Sequence, residues 1–252
     1  MELNFKKLGS GQPMVILHGL LGTLDNWITL GRQFSENFTV YLVDLRNHGL
    51  SPHSEEFTYD AMMEDVLELF EAEGIEKPIL LGHSMGGKVA MNLALNSPES
   101  IEKLIVADID AKAYHVQHEQ ILNGLNALPI DKISSRKEAD DELAKYVDEF
   151  EIRQFLLKNL DRTSAGFSWK MNLPVITRDI EKVGVEIGKG QSVDLPTLFI
   201  RGANSNYIKD ENWNALKEKF PKAELKTIEN AGHWLHAEQP EEFYKIVMDF
   251  VK

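Results

Sequence analysis

Residues 79–95 read ILLGHSMGGKVAMNLAL: an apolar run, a serine set between two glycines, and a run suited to a helix. If PILLG (Pro78–Gly82) is a strand and Met85–Asn96 a helix, Ser84 occupies the strand-to-helix turn, with its side chain pointing away from the top of the sheet. So sharp a turn forces strained dihedrals on the serine and demands small neighbours, which Gly82 and Gly86 supply. The bare pattern G-x-S-x-G arises by chance and fits a glycine-rich turn equally well. The strand before it and the helix after it favour a seat for a nucleophile.

A serine hydroxyl attacks only when a base takes its proton and a carboxylate holds that base in the right tautomer. Eight histidines are available. His233 follows NAG in a polar loop between the strand-like ELKTI and the final helix, which brings it late in the chain and to the sheet top. It is the best base; His53, His115, His118 and His236 read as surface or hydrogen-bonded core residues. His115 and His118 stand at i, i+3, a spacing that could pair on a metal, but no nearby carboxylate pattern completes a site. The start of the helix offers the Met85 N–H to a developing oxyanion. A second donor, the N–H of Leu20, is expected from HGLLG (His18–Gly22), where glycines let backbone approach a ligand.

Outward from this turn, short runs rich in Val, Ile and Leu recur: MVILHG (Met14–Gly19), TVYLVDL (Thr39–Leu45), KLIVAD (Lys103–Asp108) and PTLFIRG (Pro196–Gly202). Continuous hydrophobicity marks strands covered on both faces. Helical patterns separate them. Met63, Val66, Leu67 and Phe70 repeat at i, i+3, i+4 and i+7 with Glu64, Asp65, Glu68 and Glu71 turned away; Phe243, Ile246, Val247 and Phe250 do the same near the end. The alternation predicts an α/β fold, a mostly parallel sheet with helices on both faces, as a single domain over residues 1–252. Between about 111 and 190 it breaks into charged amphipathic segments with no convincing strand, a helical insertion. Ligands bind at the carboxyl ends of strands in such sheets, so the insertion is expected to act as a lid. Its Phe155, Phe167 and Trp169 then become candidates for sheltering a substrate's apolar part.

Composition removes other classes. A formal net charge of −13 with no basic block disfavours nucleic acid, whose binding rests on Lys and Arg. Without cysteine there is no disulfide, thiolate metal site or cysteine nucleophile. The N-terminus lacks the apolar stretch of a secretory signal, and no run nears the roughly 18 apolar residues of a membrane span. A cytoplasmic protein is the expectation, with oligomeric state undetermined.

HGLLG, DLRNHGLS (Asp44–Ser51), GHSMGGK (Gly82–Lys88) and AGHWLHAEQPEEF occur in the order and spacing of the α/β-hydrolase superfamily. DLRNHGLS, GHSMGGK, DIDAKAYHV (Asp108–Val116) and RGANSNYI (Arg201–Ile208) resemble in particular the bacterial YbfF-type esterases, some of which act on acyl-CoA thioesters. The resemblance spans nearly the whole chain. It implies Ser84 as nucleophile, His233 as base and the N–H groups of Leu20 and Met85 as oxyanion hole, with no cofactor or metal. Most of the superfamily carries its acid a few residues past the penultimate strand, but here PTLFIRG is followed by ANSNYI. In the YbfF-like group the acid follows the preceding strand, which implies Asp108; Asp110 and Asp210 compete. Asp210 reads more simply as a helix-opening residue, and Asp44, Arg46 and His48 as turn chemistry.

The expected function is hydrolysis of a small acyl ester or acyl-CoA thioester through an acyl-enzyme. For an anionic thioester, Lys88, Arg201 and Lys158 could form a local positive patch. A C–C bond or lactone hydrolase would keep the same triad, and a slow-turnover ligand receptor could keep the same fold.

Overall fold

Alternate residues of the apolar runs face opposite sides of one sheet. The computed structural model describes residues 1–164 and 166–252. The strands are β1 (Phe5–Leu8), β2 (Gln12–Leu17), β3 (Phe38–Val43), β4 (Ile79–His83), β5 (Lys103–Ala107), β6 (Leu160–Thr163), β7 (Gly166–Trp169), β8 (Thr197–Gly202) and β9 (Ala223–Ile228). The helices are α1 (Ile28–Phe34), α2 (Tyr59–Glu73), α3 (Met85–Asn96), α4 (Glu119–Ala127), α5 (Arg136–Leu143), α6 (Phe150–Leu157), α7 (Leu173–Arg178), α8 (Trp213–Lys219), α9 (Leu235–Glu238) and α10 (Pro240–Val251). Seven strands form the central sheet in the order β1-β3-β2-β4-β5-β8-β9. All neighbours are parallel except the β1–β3 pair.

Val15, Leu17, Leu80 and Val106 pack on one face with Val66 and Phe70 of α2 and Val89 and Leu93 of α3. Met14, Ile16, Leu81 and Ile200 pack on the other with Leu30 and Phe34 of α1 and Phe243 and Val247 of α10. Burying each such side chain contributes about 1.5–3 kcal/mol before entropy is counted, so the two-sided cover fixes the register of the central strands. The carboxyl ends of β4, β5 and β8 are thereby held side by side, where the strand-to-helix turns project.

Three expectations differ from this structure. On α2 the buried stripe runs through Met62, Val66, Leu69 and Phe70, one residue off the expected face, and Asp65 is buried rather than turned outward. The reason is an ion pair: Asp65 accepts from Arg46 Nε at 2.6 Å and from Nη2 at 2.9 Å, and the paired charge is tolerated inside. Between β5 and β8 the chain is not wholly helical, because β6 and β7 form an antiparallel hairpin beside α4–α7. Only Leu160 of β6 is buried, which leaves no alternation to read. Strand β1 also went unread, since Lys6 and Lys7 at its centre are exposed, as suits a sheet edge.

Candidate active site

Ser84 lies between the last residue of β4 and the first of α3, at φ 52° and ψ −119°. That left-handed strain is tolerated only where surroundings enforce it. Here the Ser84 N–H donates to the Ala107 carbonyl at 3.0 Å, and the Ser84 carbonyl accepts from the Lys88 N–H at 3.1 Å. A Cβ at Gly82 would stand 2.2 Å from the Gly86 carbonyl oxygen, and one at Gly86 would stand 2.5 Å from the carbonyl oxygens of Leu17 and His18. Both glycines are therefore required by close backbone contact around the turn.

His233, in the loop between β9 and α9, brings its Nε2 within 3.0 Å of Ser84 Oγ and its Nδ1 within 2.7 Å of Asp108 Oδ2. Donation from Nδ1–H to the carboxylate leaves Nε2 free to accept from the serine hydroxyl. The ring is fixed from its backbone too, since His83 Nε2 lies 2.8 Å from the His233 carbonyl. Asp108 directly follows β5, is fully buried and adopts φ 52°. Its Oδ1 accepts from the Gly202 N–H at 3.2 Å, and its Oδ2 also accepts from Ser205 Oγ at 2.5 Å. Three donors thus meet a carboxylate that burial would otherwise leave unsatisfied. The competing acids are elsewhere: Asp110 Oδ1 accepts the Lys112 N–H at 3.1 Å, and exposed Asp210 pairs with Arg201 at 2.7 Å. Ser205 is the part of this cluster that sequence reading missed; its serine lies in ANSNYI, where an acid was sought.

The HGLLG loop lies against the turn, for a Cβ at Gly19 would stand 3.2 Å from Ser84 Cβ. Among the described residues, neither the Leu20 nor the Met85 N–H has a backbone partner. Buried groups set the loop's shape. His18 Nε2 accepts from the Leu45 N–H at 3.0 Å with Nδ1 on the Gly19 carbonyl at 2.8 Å. His48 Nε2 accepts from the Leu21 N–H at 3.2 Å with Nδ1 on the Arg46 carbonyl at 3.0 Å. Asn159 Nδ2 donates to the Leu21 carbonyl at 2.7 Å, holding Leu21 at φ 58°. Asp44 accepts from the N–H groups of Leu24 and Leu50 at 2.7 and 2.9 Å. The DLRNHGLS turn thus braces the loop beside Ser84, with Arg46 committed to Asp65.

Burial pushes His18 down to about 4; His48 falls to about 3 through burial and then the neighbouring His18. Burial likewise holds His236, stacked on Trp27 at 4.2 Å, down to about 3. Below their ordinary value of 6.5 the unfolded chain binds protons that these folded rings refuse, so stability is full above about pH 6.5 and falls as pH drops toward 4. Each ring adds up to about 1.4 kcal/mol per pH unit to that slope. Melting temperatures measured from pH 7 to pH 4 should decline, and His48→Asn should lose one ring's share of the decline; an unchanged slope would remove His48 from the account.

The cavity beside Ser84 is lined by Leu20, Leu21, Trp27, His118, Ile121, Ile152, Phe155, Leu156 and Trp234, together with His233. Phe155 of α6 therefore reaches it. Phe167 and Trp169 do not: both lie on β7, half-buried in the hairpin, and neither is in that lining. His118 is not the surface or satisfied core residue expected, since it lines the cavity and its buried Nδ1 has no partner. His115 and His118 complete no group of three or more metal-ligating side chains among the described residues. Two of the three basic residues expected to form a patch are engaged elsewhere. Lys88 is fully buried, pushed down to about 8 by that burial, and its Nζ donates to the carbonyls of Lys112 and Val185. Arg201 is engaged by Asp210. No helix among the described residues is long and apolar enough to cross a membrane.

A family model described as the alpha/beta hydrolase fold matches residues 12–132 and 125–240. A solved structure of a marine microorganism esterase superposes with a TM-score of 0.96 at 41% identity, covering 99% of each chain. Esterase YbfF of Escherichia coli is 35% identical over 96% of this chain and 94% of its own length. The sn-1-specific diacylglycerol lipase ABHD11 of Mus musculus is 37% identical over 94% of this chain and 80% of its own.

Proposed function

The chain belongs to the α/β-hydrolase family, and from that premise we propose that it is a serine carboxylesterase working through Ser84, His233 and Asp108. Ser84 Oγ attacks the acyl carbonyl carbon as His233 Nε2 takes its proton. The oxyanion forms against the Leu20 and Met85 N–H groups, preorganised dipoles that cost no reorganisation as charge develops. The tetrahedral intermediate expels the leaving oxygen or sulfur, which takes the proton from His233. Water, deprotonated by the same ring, then releases the acid and restores Ser84. Asp108 holds the tautomer and stabilises the imidazolium. The observation that carries this reading is the unbroken relay at 3.0 and 2.7 Å from Ser84 to His233 to Asp108. No step needs a metal or cofactor.

The segment from about 111 to 190 serves in this proposal as a lid, since Ile121 of α4 and Ile152, Phe155 and Leu156 of α6 wall the cavity over Ser84. Small acyl esters are the substrate class. Thioesters of coenzyme A are a second arm, on the resemblance to YbfF-type esterases. A chain-length panel of p-nitrophenyl esters beside acyl-CoA thioesters tests the proposal. Short esters are expected to turn over at rates ordinary for enzymes, on the order of 10 s⁻¹, and faster than the thioesters, because Lys88 and Arg201 are committed elsewhere. Uniformly negligible rates would overturn the esterase reading in favour of a receptor or another bond type.

A further inference from the structure

Two cavities meet at His233, and they differ in chemistry. The one containing Ser84 presents eight Leu, Ile, Phe and Trp side chains beside the imidazoles of His18, His83, His118, His233 and His236. The other reaches His233 but not Ser84; Gln117, Asn204, Ser205, Asn206 and Tyr207 line it with Lys112 and Asp110, beside Ile109, Tyr114 and His115. Its amides and hydroxyls offer donors and acceptors in quantity, and its ammonium is offset by a carboxylate, so it suits neutral hydroxyl groups better than a multiply charged phosphate. Only His118 and His233 belong to both linings.

In the acyl-transfer reading, the leaving oxygen must lie within reach of His233 Nε2 to receive its proton. With the carbonyl at Ser84 and the acyl chain in the apolar cavity, the remainder of the substrate extends past His118. That residue immediately precedes α4, yet its side chain does not cap the helix. Its Nδ1 is buried without a hydrogen-bond partner among the described residues. Burial first, and His233 nearby, hold the imidazole below its ordinary 6.5 despite the Gln117 carbonyl, so it stands neutral with one donor and one acceptor. Leaving a buried polar atom unpaired is costly, and a ligand group at this junction would relieve it.

We propose that the polar cavity is the leaving-group site, that it takes the hydroxylated alcohol part of a neutral polyol ester, and that His118 is the specificity-determining residue at its entrance. This inference rests on the esterase reading but can fail separately from it. The test compares kcat/KM for glyceryl monobutyrate with that for ethyl butyrate, two esters sharing an acyl group, in the wild type, His118→Leu, His118→Asn and Asn206→Ala. Using the ratio within each variant cancels any loss of folded enzyme. The ratio is expected to fall about five- to tenfold in His118→Leu, the worth of one neutral hydrogen bond, mainly through KM. It should recover in His118→Asn and fall about twofold in Asn206→Ala at the exposed rim. An unchanged ratio in His118→Leu overturns the assignment. A greater loss on butyryl-CoA than on the glyceryl ester overturns the neutral class in favour of an anionic one. Failure of the esterase reading itself would be seen in the wild type, as no turnover of either ester.

Discussion

Ser84→Ala is expected to lower kcat/KM for p-nitrophenyl butyrate by about 10⁴-fold or more, with melting temperature nearly unchanged. The two halves of that outcome have separate causes. Serine and alanine both carry a Cβ, so the strain at φ 52° is the same for either. The Gly82 and Gly86 contacts and the Ser84 N–H bond to Ala107 involve only backbone and persist. What disappears is the oxygen that His233 deprotonates and that becomes acylated. Any remaining rate comes from binding and the N–H groups of Leu20 and Met85 alone, which still favour attack by water. His233→Ala should cost a similar factor, and the double variant little more than either, because a nucleophile without its base is as idle as a base without its nucleophile. Normal turnover in Ser84→Ala would end the assignment of the nucleophile.

The central strands and the serine turn were legible because each demand is local. A parallel strand covered on both faces must be apolar at every position, and a turn this tight must place glycine at 82 and 86, so both leave marks in consecutive residues. The β6–β7 hairpin left none, because its side chains, exposed on β6 after Leu160 and uniformly half-buried on β7, show no alternation, and its hydrogen bonds are indifferent to side-chain identity. Asp65 was misread for a related reason: a buried charge is betrayed only by its partner, and Arg46 lies in a different turn. The pocket divides the same way. Phe155, Phe167 and Trp169 have equal apolar character, yet one lies on α6 facing the cavity and two on a hairpin away from it. Asn159 and Ser205 were silent because what matters in each is the group it meets from a distant part of the chain, and His118 reads as a surface or core residue because nothing local marks a cavity wall.

Asp108→Asn carries the second large effect, a loss of about 10³- to 10⁴-fold in kcat by comparison with triad acids elsewhere. Among the described residues the carboxylate accepts from His233 Nδ1, Gly202 N–H and Ser205 Oγ. An amide has one oxygen to meet them and an NH₂ that must face one of the former donors. If the NH₂ faces His233, Nδ1 has to become the acceptor, the proton moves to Nε2, and that nitrogen can no longer accept from Ser84. If the oxygen faces His233, the tautomer survives, but the NH₂ confronts the Gly202 N–H, and the imidazolium loses its counter-charge. Either arrangement disables the base without emptying the site, so KM should move far less than kcat. Asp210→Asn is the matched control: that carboxylate is exposed and held by Arg201, so its loss should leave kcat within about twofold, the usual range for a surface ion pair. A severe loss at Asp210 with a mild one at Asp108 would transfer the acid to the loop after β8, and would require that loop to carry Asp210 away from Arg201 to the His233 ring during turnover.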